Sequence, residues 1–186
     1  MVQRRSLCLV AGLAGWAAAA CGIALFGARL LLADSGFSLT TSSFQADGDI
    51  PSRFTCRGDN LSPALAWSDP PAGTRSFVLI ADDPDAPSYV FTHWVIYDLP
   101  SSLRRLPAGV PNTSDPEGGR QGSNDFEQTG YGGPCPPPGK PHRYFFRLYA
   151  LDMQLNLRAG ASRSEVENAM KGHVLGQASV MGRFKR

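Results

Sequence analysis

Phe77-Val78-Leu79-Ile80-Ala81-Asp82-Asp83-Pro84-Asp85-Ala86-Pro87 is the stretch whose reading decides the fold. Its first five residues are a short apolar run, the pattern of a strand buried on both faces. The acid–proline segment that follows fixes φ at Pro84 and Pro87 and removes two backbone donors, so it predicts a rigid corner at a strand end. Three carboxylates within four positions are costly unless cations or hydrogen bonds compensate them. A solvated turn is the plain alternative for such a cluster.

Downstream, Phe91 to Leu99 reads as a second apolar, aromatic-rich strand, and His142 to Asp152 as the best strand in the chain. Period-2 alternation puts His93, Val95 and Tyr97 on one face, with Trp94 and Ile96 on the other. The same rule puts His142, Tyr144, Phe146 and Leu148 on a common face. Upstream, Phe37 to Phe44 and Ala64 to Trp67 have strand composition, and Gly176 to Phe184 closes the chain as another strand. Ser162 and Ser164 each offer an N-cap, with Glu165 or Glu167 three residues on, ahead of Val166, Ala169, Met170 and Val174 at helical spacing. A long polar connection runs from Pro100 to Gly139 and marks a functional or mobile loop. The expected fold is mainly β: two antiparallel sheets forming a sandwich, with one or two peripheral helices.

Length and composition agree with one domain. The chain has 186 residues, 42% hydrophobic and 18% charged, with 20 Gly and 15 Pro clustered between apolar runs as turn chemistry. Its pI of 8.4 suggests a basic protein. Arg4, Arg5 and Arg29 account for that impression; without them basic and acidic residues number 15 and 16. A near-neutral body carries no electrostatic footprint for nucleic acid.

Arg4 and Arg5 precede an uncharged run from Ser6 to Ala28, long enough for a hydrophobic helix across a bilayer. Residues 1–33 therefore read as a signal peptide cut near Ala33, or as an uncleaved membrane anchor over residues 6–28 with the arginines in the cytoplasm. Either reading predicts an exported body over residues 37–186, periplasmic, extracellular or tethered to the inner membrane. Cys8 and Cys21 fall in the leader, leaving Cys56 and Cys135 in Gly/Pro-rich loops of the body. In an exported domain these two are candidates for a disulfide; the alternative is two separate thiols.

His93 and His142 each open a strongly apolar strand, where a sandwich opens to solvent. Singly, each reads as a satisfied structural histidine. Together, with Tyr144 beside one and a carboxylate corner elsewhere, they suggest a shared pocket. His173 sits at the end of the predicted helix, where a cation suits the dipole.

Asp83-Pro84-Asp85-Ala86-Pro87, His93-Trp94, Gly130-Tyr131-Gly132-Gly133-Pro134 with Pro136-Pro137, and His142-Arg143-Tyr144 occur in an order that resembles the phosphatidylethanolamine-binding protein family. The resemblance is to its bacterial and archaeal, Raf-kinase-inhibitor-like branch, and runs from about Phe37 to Phe184. It implies a small anion pocket floored by Asp83, His93, His142 and Tyr144, with Pro87 and the Gly132–Pro137 loop, including Gly133, Pro134 and Pro136, as its rim. Proximity of Asp83 to two imidazoles is expected to raise the pKa of both. Imidazole N–H, a Tyr hydroxyl and backbone N–H groups suit phosphate or carboxylate oxygens. The resemblance departs at the animal proteins' C-terminal helical tail, for which this sequence shows no counterpart, so neither lipid binding nor kinase inhibition is expected.

Three functions follow as expectations. The first is a binding module without a cofactor, taking a phosphate- or phosphoethanolamine-like anion and a protein partner. The second is a hydrolase using Asp83, His93 and His142 on a metal or on water. The third is an exported protease or hydrolase inhibitor presenting the 100–139 loop.

Overall fold

The computed structural model describes residues 36–186. The leader, its hydrophobic helix, the anchor over residues 6–28 and the cut near Ala33 all lie outside the described residues. Among those described, no helix is long and apolar enough to cross a membrane.

Eight strands form two antiparallel sheets. The larger has the order β6-β4-β3-β7-β8, with β3 Ser76–Asp83, β4 Phe91–Pro100, β6 Arg120–Gln121, β7 His142–Leu151 and β8 Val174–Phe184. The smaller has the order β1-β2-β5, from Ser38–Thr41, Leu65–Ser68 and Arg105–Leu106. Strand β3 is central, and all of its residues are buried. That is why its sequence is continuous rather than alternating: both faces are covered. Leu39, Leu65, Trp67 and Leu106 of the small sheet meet Phe77, Leu79, Trp94, Ile96, Phe146 and Leu148 in the main core. On the far face, Val78, Ile80, Val95 and Tyr97 pack under helix α1, Arg163–Met170, through Val166 and Met170. Ser162 is the cap, in a reciprocal box with Glu165; such a cap contributes about 1 kcal/mol.

Two expectations about the strands need correction. The 100–139 connection, expected as one long loop, carries β5 and β6, and Gln121 within it accepts from the buried Trp94 indole. His93 does not share a face with Val95 and Tyr97. Ala81 pairs with Trp94 but Asp82 pairs with Thr92, so His93 is an extra residue in β4. This β-bulge breaks the alternation and turns the imidazole onto Tyr144, 5.2 Å between ring centroids. Val95 and Tyr97 remain under the helix.

The Cys56 and Cys135 sulfurs meet at bonding distance, with Cα atoms 5.4 Å apart, normal spacing for a disulfide. The link closes a loop of 79 residues in sequence. In the chain-entropy view a loop of that size contributes about 4 kcal/mol. Cys56→Ser is expected to lower the melting temperature of air-oxidised protein by roughly 10 °C. An unchanged melt would show that the sulfurs are not bonded in solution.

Candidate functional site

The corner after β3 resolves its crowded carboxylates by sending them in different directions. Asp82 points under the helix, buried, with Arg147 at 3.1 Å and Arg163 at 3.2 Å. Asp85 faces outward and takes a bidentate grip from Arg143, at 2.9 and 2.7 Å. That guanidinium holds the Asp85 pKa down at about 2. Asp83 turns to the opposite side of β3 from Asp82. Its Oδ1 accepts the Asp85 N–H at 2.8 Å, closing the turn, and its Oδ2 accepts from His142 Nδ1 at 2.8 Å. Each acid thus has its own partner, as burial requires.

Around Asp83 lies a cavity of about 200 Å³, lined by Asp83, Ala86, Pro87, Phe91, His93, Phe126, Cys135, Pro136, Pro137 and His142. Its walls are mostly apolar, and its polar groups converge from three separate parts of the chain. A larger depression of about 720 Å³ opens beside β1, β2 and β5, but its only charged residues are Arg105 and Glu117 and it has no imidazole.

Of the residues predicted from sequence, Asp83, Pro87, His93, Pro136 and His142 come together on the cavity. Three do not. Gly133 lines a neighbouring depression with Asn60 and Cys56. Pro134 is buried, its carbonyl accepting from Cys56 N–H at 3.1 Å. Tyr144 lies beneath His93, its hydroxyl buried without a partner among the described residues. Burial, reinforced by the nearby Asp83 carboxylate, pushes the Tyr144 pKa far up, so the phenol stays protonated.

The sequence reading missed Ala86, Phe91 and Phe126. Phe126 stands 4.8 Å from Phe91 and 5.4 Å from His93, ring to ring, and is 37% exposed. A lone aromatic inside a polar loop was the available signal. Asn124 holds this loop: its Oδ1 accepts from Phe126 and Gln128 N–H, while its amide donates to the Gly130 carbonyl. Gly132 lets the rim pass close by; a Cβ there would collide with the Phe126 ring. Outside the cavity, His142 also borders a surface groove with Lys140, Arg143 and Arg183.

The expected rise in both imidazole pKa values fails at His93. Its Nδ1 lies 2.6 Å from the Gly132 carbonyl, which can only accept, so Nδ1 carries the proton. Burial pushes its pKa below 6.5, outweighing the Gly132 bond and the Asp83 charge. A ring neutral in the fold but protonated when unfolded makes the unfolded state the better proton binder. The His93 contribution to stability is therefore complete above about pH 6.5 and declines as pH falls toward the lowered native value. His93→Gln is expected to narrow its stability deficit against the parent between pH 7 and 5, measured by denaturant unfolding; a constant difference would contradict the neutral-ring assignment.

A family profile described as phosphatidylethanolamine-binding protein matches residues 40–185. A UPF0098 protein of Methanothermobacter thermautotrophicus is 52% identical over 150 residues, covering 80% of this chain and 99% of that protein. The UPF0098 protein YbhB of Escherichia coli is 43% identical over 148 residues, covering 74% of this chain and 94% of its own length. Among solved structures, E. coli YbcL, described as a member of the mammalian PEBP family, superposes with a TM-score of 0.76 at 31% identity, over 81% of this chain and 99% of YbcL. The four ordered motifs, the two-sheet fold and these matches agree: the chain belongs to the phosphatidylethanolamine-binding protein family.

Proposed function

We propose that this protein is a non-enzymatic binder of a small phosphate-bearing anion, held at the mouth of the Asp83–His93–His142 cavity. The observation that carries this reading is the Asp83–His142 pair, 2.8 Å apart, on the shared border of the apolar cavity and the cationic groove. With its Nδ1 on Asp83, His142 has Nε2 left for the ligand. Neutral His93, its proton committed to Gly132, keeps Nε2 as an acceptor. Two open ring nitrogens fit a phosphate that carries both P–O⁻ and P–OH, or the ammonium and phosphate ends of phosphoethanolamine. Lys140 and Arg183 add positive charge beside His142. The headgroup in the family's name supports the same chemistry.

A hydrolase needs a nucleophile or an activating base in contact with the substrate. The lining offers Asp, His, Ala, Pro, Phe and Cys side chains, with both His Nδ1 protons already directed at acceptors. Among the described residues the lining holds no serine, threonine or free thiol, which favours binding over hydrolysis through a covalent intermediate. The reading of residues 1–33 as a signal peptide or anchor, from two arginines ahead of an uncharged apolar run, supports a location outside the cytoplasm, released or held at the inner membrane. A protein partner, if the body serves as an inhibitor, would meet the exposed rim around Tyr89, Val90 and Phe126.

His142→Ala removes one ring nitrogen from the site and leaves Asp83 without its hydrogen-bond partner. Phosphate affinity, by calorimetry, is expected to fall by about 1–3 kcal/mol, roughly 5- to 150-fold. Equal affinity in the two proteins would remove His142 from the site.

A further inference from the structure

The cavity wall formed by Pro136 and Pro137 is anchored in an unusual way. The rim is well bonded up to Pro134. Gly132 N–H donates to the His93 carbonyl at 2.9 Å, Gly133 N–H to Asn60 Oδ1 at 2.8 Å, and Cys56 N–H to the Pro134 carbonyl at 3.1 Å. From residue 135 to residue 141, no hydrogen bond joins this segment to the rest of the described residues. Pro136, Pro137, Pro138 and Pro141 have no N–H to give. Bonding resumes at His142, where β7 begins. Along this stretch the Cys56–Cys135 bond is the covalent tie, and Cys135 itself lines the cavity beside Pro136.

We propose that this disulfide is a redox control on the cavity, an inference that rests on the anion-binding reading above. Oxidised, it holds Cys135 and the prolyl wall against the 52–60 segment at the width that suits the ligand. Two electrons and two protons, supplied by a dithiol that is itself oxidised to its cyclic disulfide, convert it to two thiols and free residues 135–141. The wall then loosens and the anion binds more weakly. Reciprocity requires the converse: bound anion makes the disulfide harder to reduce.

The test uses the full chain with inorganic phosphate as probe, before and after dithiothreitol, below the melting temperature of the reduced form. Reduction is expected to weaken phosphate affinity about five-fold or more, the lower end of ordinary coupling between two sites. Cys56→Ser, which keeps the Cys135 side chain on the cavity, should bind as the reduced protein does and ignore dithiothreitol. Phosphate should slow the appearance of maleimide adducts at Cys56 and Cys135 themselves, read by peptide mass mapping. The imidazole NMR signals of His93 and His142 read the wall without any ligand and should shift on reduction. If phosphate binds equally in both states and those signals stay fixed, the redox inference is overturned while the site reading survives. If the oxidised protein binds no phosphate yet the signals shift, the wall is redox-controlled and the ligand assignment is what fails. A reduced chain with no cooperative melt overturns the inference, because the bond is then a staple of the whole fold.

Discussion

A carboxylate at the end of a doubly buried strand must find a partner, and the arrangement of this protein's cavity depends on how Asp83 does so. Strand β3 carries Asp82 and Asp83 in succession, and the pleat sends them to opposite faces. Asp82 takes two arginines under the helix, while Asp83 takes His142 from β7 and the Asp85 N–H. Removing one partner of such a buried pair leaves an uncompensated charge, a cost of about 3–5 kcal/mol. The His142 imidazole is thereby fixed at the cavity mouth, and the Pro84–Pro87 corner is closed by a hydrogen bond from its own backbone.

The second histidine arrives by a different device. The bulge in β4 inserts His93 out of register and swings it onto Tyr144, while its Nδ1 holds the Gly132 carbonyl of the rim. The two rings therefore differ in chemistry as well as in position. One is paired with an acid at the mouth. The other is buried, kept neutral and bonded to backbone. The two ring nitrogens left open, one on the acid-paired ring and one on the buried ring, are therefore not equivalent.

Much of this was legible in sequence because it follows from period and from turn chemistry. The apolar run of β3, the alternation of β7 and the box at Ser162 are local patterns, and each element began where its pattern lay, although the helix stops at Met170 and Val174, expected on it, opens β8. Asp83, Pro87, His93, Pro136 and His142 were found through short motifs around Pro and Gly, residues whose backbone constraints survive in any context. What failed was long-range. The face of His93 depends on an inserted residue in the β3–β4 ladder, which alternation cannot reveal. Its lowered pKa depends on how deeply that bulge buries the ring. Phe126 reaches the cavity only because Asn124 folds its loop back, and Gly133, Pro134 and Tyr144 support the site from behind rather than line it.

The account stands or falls on whether a phosphate sits where Asp83, His93 and His142 converge. A crystal soaked in phosphate measures this most directly. We expect tetrahedral density within hydrogen-bond distance of His142 Nε2, inside the ring formed by Ala86, Phe126 and Pro137. Tetrahedral density found elsewhere, with that cavity filled only by water, would contradict it.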